Sequence, residues 1–277
     1  MNKKLRMRAL SIMMLVVMCA SLLAGCGDKK EETVERVGGY YNVEGYPICN
    51  DPIRIKVTGI NDYLCEQVMQ KSMAVCNYFR CPNIVVHGLK MRRYLGTEEA
   101  EWMQTEAMLD KIAPMAKEMG ITICVENLYE SISGHIVEGP CCDARKAAER
   151  IDRFNEKYHA PVLGFCFDTG HANLVGIDFE DFIVKLGDRL KVLHVHDNDG
   201  ISDLHQIPFT FTKTRENSPS TDWEGFLSGL RSIGYNGVIS FETAPVLASF
   251  PEEMKEDALK FIARIGTHFS DKIEKGK

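Results

Sequence analysis

Four short runs alternate bulky apolar residues with smaller or polar ones: Ile121-Thr-Ile-Cys-Val-Glu126, Leu163-Gly-Phe-Cys-Phe-Asp168, Lys191-Val-Leu-His194 and Val238-Ile-Ser-Phe-Glu242. Strand side chains point to opposite faces with period two. Ile121, Ile123 and Val125 therefore share one face of the first run, and Thr122, Cys124 and Glu126 share the other. Leu163, Phe165 and Phe167 oppose Gly164, Cys166 and Asp168 in the second. In the last, Ile239 and Phe241 oppose Val238, Ser240 and Glu242. A bulky face for helices and a smaller face for a lumen is what an α/β barrel asks of its strands. Ile84 to His87 reads as a further strand.

Between these runs the spacing turns helical. Residues 61–80 place Leu64, Val68, Met69, Met73, Cys76 and Phe79 near one helical stripe. Thr97 caps a helix to about Glu118 with Gly120 as its stop, and Met103, Ala107, Met108, Ile112 and Met115 form its apolar face. A loop through Gly134 and Gly139-Pro140 leads to a helix over 143–158, and Asp178 opens a short one ending near Gly187. Residues 198–220 read as a polar loop with a short strand near Ile207. Thr221-Asp-Trp-Glu224 is a capping box, and Pro251 opens a last helix over 252–268. Strand and helix alternate throughout, which fits one barrel with parallel crossovers.

Each of the four runs ends on an acid or an imidazole. Glu126, Asp168, His194 and Glu242 would then meet at the C-terminal rim, where barrels place their chemistry. Three carboxylates with one imidazole suit a single divalent ion such as Mn²⁺, Mg²⁺, Co²⁺ or Zn²⁺. The chain has 277 residues, 45% of them hydrophobic, with a net charge of −6. That supports one domain with a real core, and the acidic balance and lack of a basic run predict no nucleic-acid partner.

The first 26 residues stand apart. Lys3, Lys4, Arg6 and Arg8 precede a mostly apolar stretch from Ala9 to Leu23, which ends in Leu23-Ala24-Gly25-Cys26. This is the pattern of an export signal and resembles a bacterial lipoprotein signal, with Cys26 as the lipidated residue and an anchor in the membrane. Residues 27–45 read as a tether and irregular start, and 46–277 as the barrel domain. The expected location is the exported face of the cell membrane, or the cytoplasm if the signal is unused. Cys49, Cys65, Cys76, Cys81, Cys124, Cys141, Cys142 and Cys166 follow with no CxxC pair and no short disulfide framework. They read as free buried thiols, which suit a reducing or anaerobic setting.

The motif order resembles the xylose isomerase-like TIM barrels, a superfamily that includes sugar-phosphate isomerases and epimerases, inosose dehydratases and endonuclease IV-type enzymes. The resemblance runs from about Tyr46 to His268. It is carried by Val-Val-His87, Cys-Val-Glu126-Asn127, Phe-Asp168-Thr-Gly-His171-Ala, His194-Val-His196-Asp197-Asn198, Asp203-Leu-His205, Asp222-Trp223 and Gly234-Tyr-Asn-Gly-Val-Ile-Ser-Phe-Glu242. It implies a (β/α)8-type TIM barrel with Glu126, Asp168, His194 and Glu242 as metal ligands. His171, Asp203 and His205 would contact substrate, the last two binding a further ion in multi-metal members. His194 and His196 share a strand face, His194 expected deeper as ligand and His196 nearer the rim as a substrate contact. His87 and Trp223 are expected at the substrate as well, although Asp-Trp before a helix equally suits plain packing. Lys90, Arg92, Arg93 and Arg215 are candidates for a phosphate or carboxylate, or are simply solvated. His135, His159 and His268 receive no role.

The implied activity is a metal-dependent isomerase or epimerase on a sugar, polyol or sugar phosphate, with Glu126 and Glu242 as acid and base across an enediolate. A lyase, or a sugar-binding lipoprotein without catalysis, fits the same barrel. An endonuclease IV-like phosphodiesterase needs further histidines that are not found. With the His87 strand as third of eight, Val37 to Ile48 carries the second, and no first strand-helix unit is found. Such a barrel exposes sheet edges, which a homo-oligomer could cover.

Overall fold

The protein is described here by a computed structural model, which covers residues 60–90, 97–211 and 221–275. The expected signal segment with Cys26, the tether, the second-strand candidate, Arg92, Arg93 and Arg215 lie outside the described residues. The elements are α1 (Ile60–Tyr78), β1 (Asn83–Val86), α2 (Glu98–Met119), β2 (Thr122–Glu126), β3 (Tyr129–Ile132), β4 (His135–Glu138), α3 (Ala144–Tyr158), β5 (Leu163–Asp168), α4 (Thr169–Val175), α5 (Phe179–Leu186), β6 (Leu190–Val195), α6 (Trp223–Ser232), β7 (Ser240–Phe241), α7 (Ala244–Ser249) and α8 (Glu252–Lys275). Among the described residues no helix is long and apolar enough to cross a membrane.

Five strands form one parallel sheet in the order β1-β2-β5-β6-β7. With its intervening helices it is the α/β architecture of a TIM barrel, as the alternation predicts. The two faces divide as expected. Ile123, Val125, Phe165, Phe167, Leu193 and Val195 join the main apolar core under the helices, while Cys124, Cys166 and Val192 form a separate small cluster with Val85 on the inner face. Below that cluster Gly164 leaves space that Lys191 Cγ and Thr122 Cγ2 occupy, since a Cβ there would stand 2.8 and 3.0 Å from them.

Helix ends follow their local chemistry. Gly120 terminates α2 in the left-handed region at φ 65°, and Asp143 caps α3 by accepting from the Arg145 and Lys146 backbone N–H groups. At α6 the cap is Asp222, whose carboxylate accepts from Gly225 N, rather than Thr221. Thr221 instead donates its hydroxyl to Asp197 Oδ1 at 2.6 Å, so the local capping pattern yields to a buried tertiary bond.

Other expectations shift in register or extent. The buried face of α2 is Trp102, Thr105, Leu109, Ile112, Ala113 and Ala116, and Met103 and Ala107 are exposed. The core selects the stripe centred on Trp102 and Leu109, one step round the helix from the methionines. Phe79, at the end of α1, is exposed as well. The loop expected after Glu126 holds an antiparallel hairpin, β3–β4, turning at Ser133-Gly134 with positive φ at both residues. The last strand is shorter than the Val238–Glu242 run, and the last helix longer than 252–268.

Candidate metal centre

Parallel strands deliver their last inward side chains to a common rim. Glu126 and Asp168 end β2 and β5, His194 lies next to last in β6, and Glu242 follows β7 directly. One ligand atom from each of the four lies within 4.8 Å of every other. His194 Nδ1 is the hub, 3.2 Å from Glu126 Oε1, 3.3 Å from Glu242 Oε2 and 3.9 Å from Asp168 Oδ2. Glu126 and Asp168 are fully buried, while the Glu242 side chain keeps 39% exposure. Among the described residues every ion-pair partner of these three carboxylates is a histidine. A converging set of buried carboxylates without Lys or Arg has the donor chemistry that a divalent cation needs.

Backbone devices aim these groups. The Asn127 amide accepts from Asp168 N and donates to Asp168 O, both at 2.9 Å, so it extends the β2–β5 ladder by a side-chain rung. Asp168 caps α4 by accepting from His171 N at 2.7 Å. The Thr169 hydroxyl donates to His196 O at 2.8 Å and accepts from His196 N at 3.0 Å, tying β5 to the end of β6. Gly170 is required for space: a Cβ there would sit 1.9 Å from His196 Cε1. The Asp-Thr-Gly-His stretch is therefore a packing device as well as a source of ligands.

A second layer of imidazoles surrounds the first. His171 Nδ1 lies 3.0 Å from Asn127 O and 3.4 Å from Glu126 Oε1, and its Nε2 lies 3.4 Å from Asp203 Oδ2. His205 Nε2 meets the same Asp203 oxygen at 3.3 Å, and its Nδ1 faces Glu242 O at 3.0 Å. His87, 67% exposed, brings Nε2 to 3.1 Å from Glu126 Oε2. His196, Asp203 and His205 also form a compact potential ligand group.

His196, just beyond β6, is more buried than His194. His196 is fully buried, stacked on His205 at 4.1 Å between ring centroids, with Nε2 3.0 Å from Asp168 Oδ1. It holds the Asp168 carboxylate through this contact, and the chain just beyond it pairs Asp197 with Gln206. Trp223 does not join the group. Its ring, 7% exposed, packs among Phe209, Phe226 and Phe269. Lys90 lies on the hairpin, hydrogen-bonded to Tyr129 O.

Residues missed from sequence are Asn127, Thr169 and Tyr129. The Tyr129 ring stands 5.3 Å from that of His171 and walls one side of the histidine layer. The alternation in Tyr129–Ile132 and His135–Glu138 around Ser133-Gly134 was the available signal.

The charges interlock. Burial pushes the Glu126 carboxyl up, but hydrogen bonds from His171, His194 and His87 outweigh it and hold it well below the usual carboxylate range. Burial pushes the Glu242 carboxyl up, with Asp168 and Glu126 adding to the rise and His194 opposing it. Burial opposes a charged His171, yet Asp168, Asp203 and Glu126 raise it to about 12. Burial likewise opposes charge on His194 and His205, but Glu126 and Asp203 respectively raise each to about 9. The carboxylates thus favour the protonated forms of His171, His194 and His205.

Residues 65–265 match the family described as xylose isomerase-like TIM barrel. An uncharacterized protein of Sinorhizobium fredii is 25% identical over 165 residues, 58% of this chain and 47% of that protein. An inosose dehydratase of Geobacillus kaustophilus is 24% identical over 181 residues, 61% of this chain and 54% of the enzyme. The chain thus spans about half the length of these curated relatives. Among solved structures, a D-psicose 3-epimerase crystallised in the presence of D-fructose has a TM-score of 0.54 at 14% identity, with 79% of this chain and 73% of that one covered. At that identity the likeness is one of fold.

Proposed function

The chain belongs to the xylose isomerase-like TIM barrel family, and on that premise we propose that it is a divalent-metal-dependent isomerase or epimerase of a sugar, polyol or sugar phosphate. The observation that carries the reading is the convergence of Glu126, Asp168, His194 and Glu242 within 4.8 Å. These four would hold the ion. A divalent ion there supplies positive charge against the negative charge that develops in an enediolate.

The proton work falls to the two glutamates. One carboxylate takes the proton from the carbon beside the carbonyl, and the other carboxyl returns a proton to the carbon or oxygen that completes the change. Glu126 is buried and held ionised by three histidines, while Glu242 is partly open and its affinity for a proton is raised. Opposite environments of this kind separate a base from an acid. Asp168, fixed by His196 and by the α4 amide, keeps the ligand oxygens in place. His171, Asp203 and His205 would bind substrate hydroxyls, with Tyr129 and His87 at their edge.

Metal analysis of the purified chain, with Glu126→Gln and Asp168→Asn beside it, tests the centre. One tightly held divalent ion, lost from both variants, is expected. Incubation with ketoses and ketose phosphates in deuterated water should then introduce solvent deuterium beside the carbonyl, and Glu242→Gln should stop it. A folded chain that takes up no ion under any supplementation would overturn the reading. The inosose dehydratase relatives favour a lyase as second reading, which begins with the same proton removal and is told apart by loss of water from an inosose. Lipidation at Cys26 is part of the proposal, resting on the sequence motif alone, and predicts lipid labelling that Cys26→Ser abolishes.

A further inference from the structure

The inner face of β5 carries a sulfur atom directly beside the proposed centre. Alternation puts Cys166 on the same face as Asp168, and the stagger between strands pairs Cys166 with Glu126. The thiol is therefore level with a ligand, not a full layer beneath. Its Sγ, Glu126 and His194 form their own group, with one ligand atom of each within 4.8 Å of the others. Around a tetrahedral zinc, with a zinc–sulfur bond of ~2.3 Å and slightly shorter bonds to nitrogen and oxygen, neighbouring donors stand roughly 3.5 Å apart, so the three groups would draw together by up to about an ångström on binding.

Cys166 differs from the thiols of Cys142 and Cys124 in its surroundings. Cys142 donates its S–H to Leu128 O at 2.9 Å, and Cys124 has a long contact to Thr122 O at 3.9 Å. No hydrogen bond to Cys166 is found among the described residues, although its side chain is fully buried. Its apolar neighbours are Cys124, Val192 and Val85. The polar groups it meets are the donors of the centre.

We infer that Cys166 is a further ligand of this centre and biases it toward a thiophilic divalent ion, zinc or cobalt, over magnesium. The inference rests on the metal-dependent reading above and adds to it which class of ion the site selects. Thiolate and imidazole together favour zinc and cobalt, whereas magnesium prefers a near-octahedral shell of oxygens. On ligation the S–H bond breaks, a sulfur–metal bond forms, and the proton leaves to solvent.

The test is cobalt titration of the full chain, followed by absorption spectroscopy. At one equivalent the wild type should show an intense near-ultraviolet sulfur-to-cobalt band beside its weaker visible bands. Cys166→Ser and Cys166→Ala should lose the first and keep the second. Zinc affinity should fall about tenfold or more in both variants, at least the scale of losing an outer partner of a metal site. Magnesium affinity should move less than about twofold, since a hard ion gains little from sulfur. Cobalt bound with no sulfur band in the wild type, or a band unchanged in Cys166→Ala, overturns this inference and leaves the metal reading standing. A folded wild type that binds no cobalt at all overturns both. If both variants misfold, Cys166→Val or Cys166→Thr, closer to the native volume, carries the variant arm, and a wild type without the band still overturns the inference.

Discussion

The two faces of the parallel sheet use one alternation for opposite ends. Outward positions such as Phe165, Phe167 and Leu193 are apolar and sit in a single continuous core. Inward positions start at Thr122 and Gly164, pass through thiols and Val192, and finish in carboxylates and imidazole. The outer face gains by removing hydrocarbon from water. The inner face spends part of that stability holding like charges together, which only histidines and an ion can offset. Stability and chemistry are thus separable by residue parity, and each can be perturbed without touching the other.

Phe167→Ala strikes the outer face alone. It removes a fully buried ring that meets Phe179, Phe182 and Phe226. The expected cost is about 3–5 kcal/mol in denaturant unfolding, with one bound cobalt per chain retained while the chain is folded. Gly170→Ala tests where the faces meet. The added methyl drives into His196, which is pinned by Asp168 and stacked on His205. A destabilisation of about 1–3 kcal/mol should come with weakened metal binding, whereas intact metal affinity would show that Asp168 is positioned without His196.

Acidity separates the faces further. His194 and His205 rise from 6.5 to about 9 in the metal-free fold. A raised folded-state value gives stability that is complete below the unfolded value and fades as pH rises through the folded one. The Tm of chelated protein should therefore fall between about pH 6.5 and 9. Zinc-loaded protein should gain metal affinity over the same range, because ligation needs unprotonated imidazole. Parallel trends would break the assignment of His194 to the metal. The smallest effect belongs to Asp222→Ala, which removes the α6 cap. It should cost about 0.5–2 kcal/mol and leave cobalt spectra unchanged.

How much of this was legible in sequence depends on the range of the forces involved. The four ligand positions could be read because each closes a period-two run, and strand direction alone sends them to one rim. Caps made by Asp143, Gly120 and Asp178 are equally local. The Thr221 cap failed because Asp197, distant in sequence, competes for its hydroxyl. The burial of Trp223 depends on Phe269 of α8, and the roles of Asn127 and His196 depend on bonds to a neighbouring strand. The β3–β4 hairpin left only a faint mark, an alternation over two strands of four residues around Ser133-Gly134.

The Asn127 rung has a mechanical consequence. It ties the ends of β2 and β5 past the last backbone pair, so the spacing of Glu126 and Asp168 is fixed by two hydrogen bonds. Glu242 follows a strand of only two residues, and its backbone is held by one bond to Val195 and by the His205 ring. The two sides of the site are thus unequally braced, the Glu126–Asp168 side by paired bonds between strand ends and the Glu242 side by single bonds to Val195 and His205.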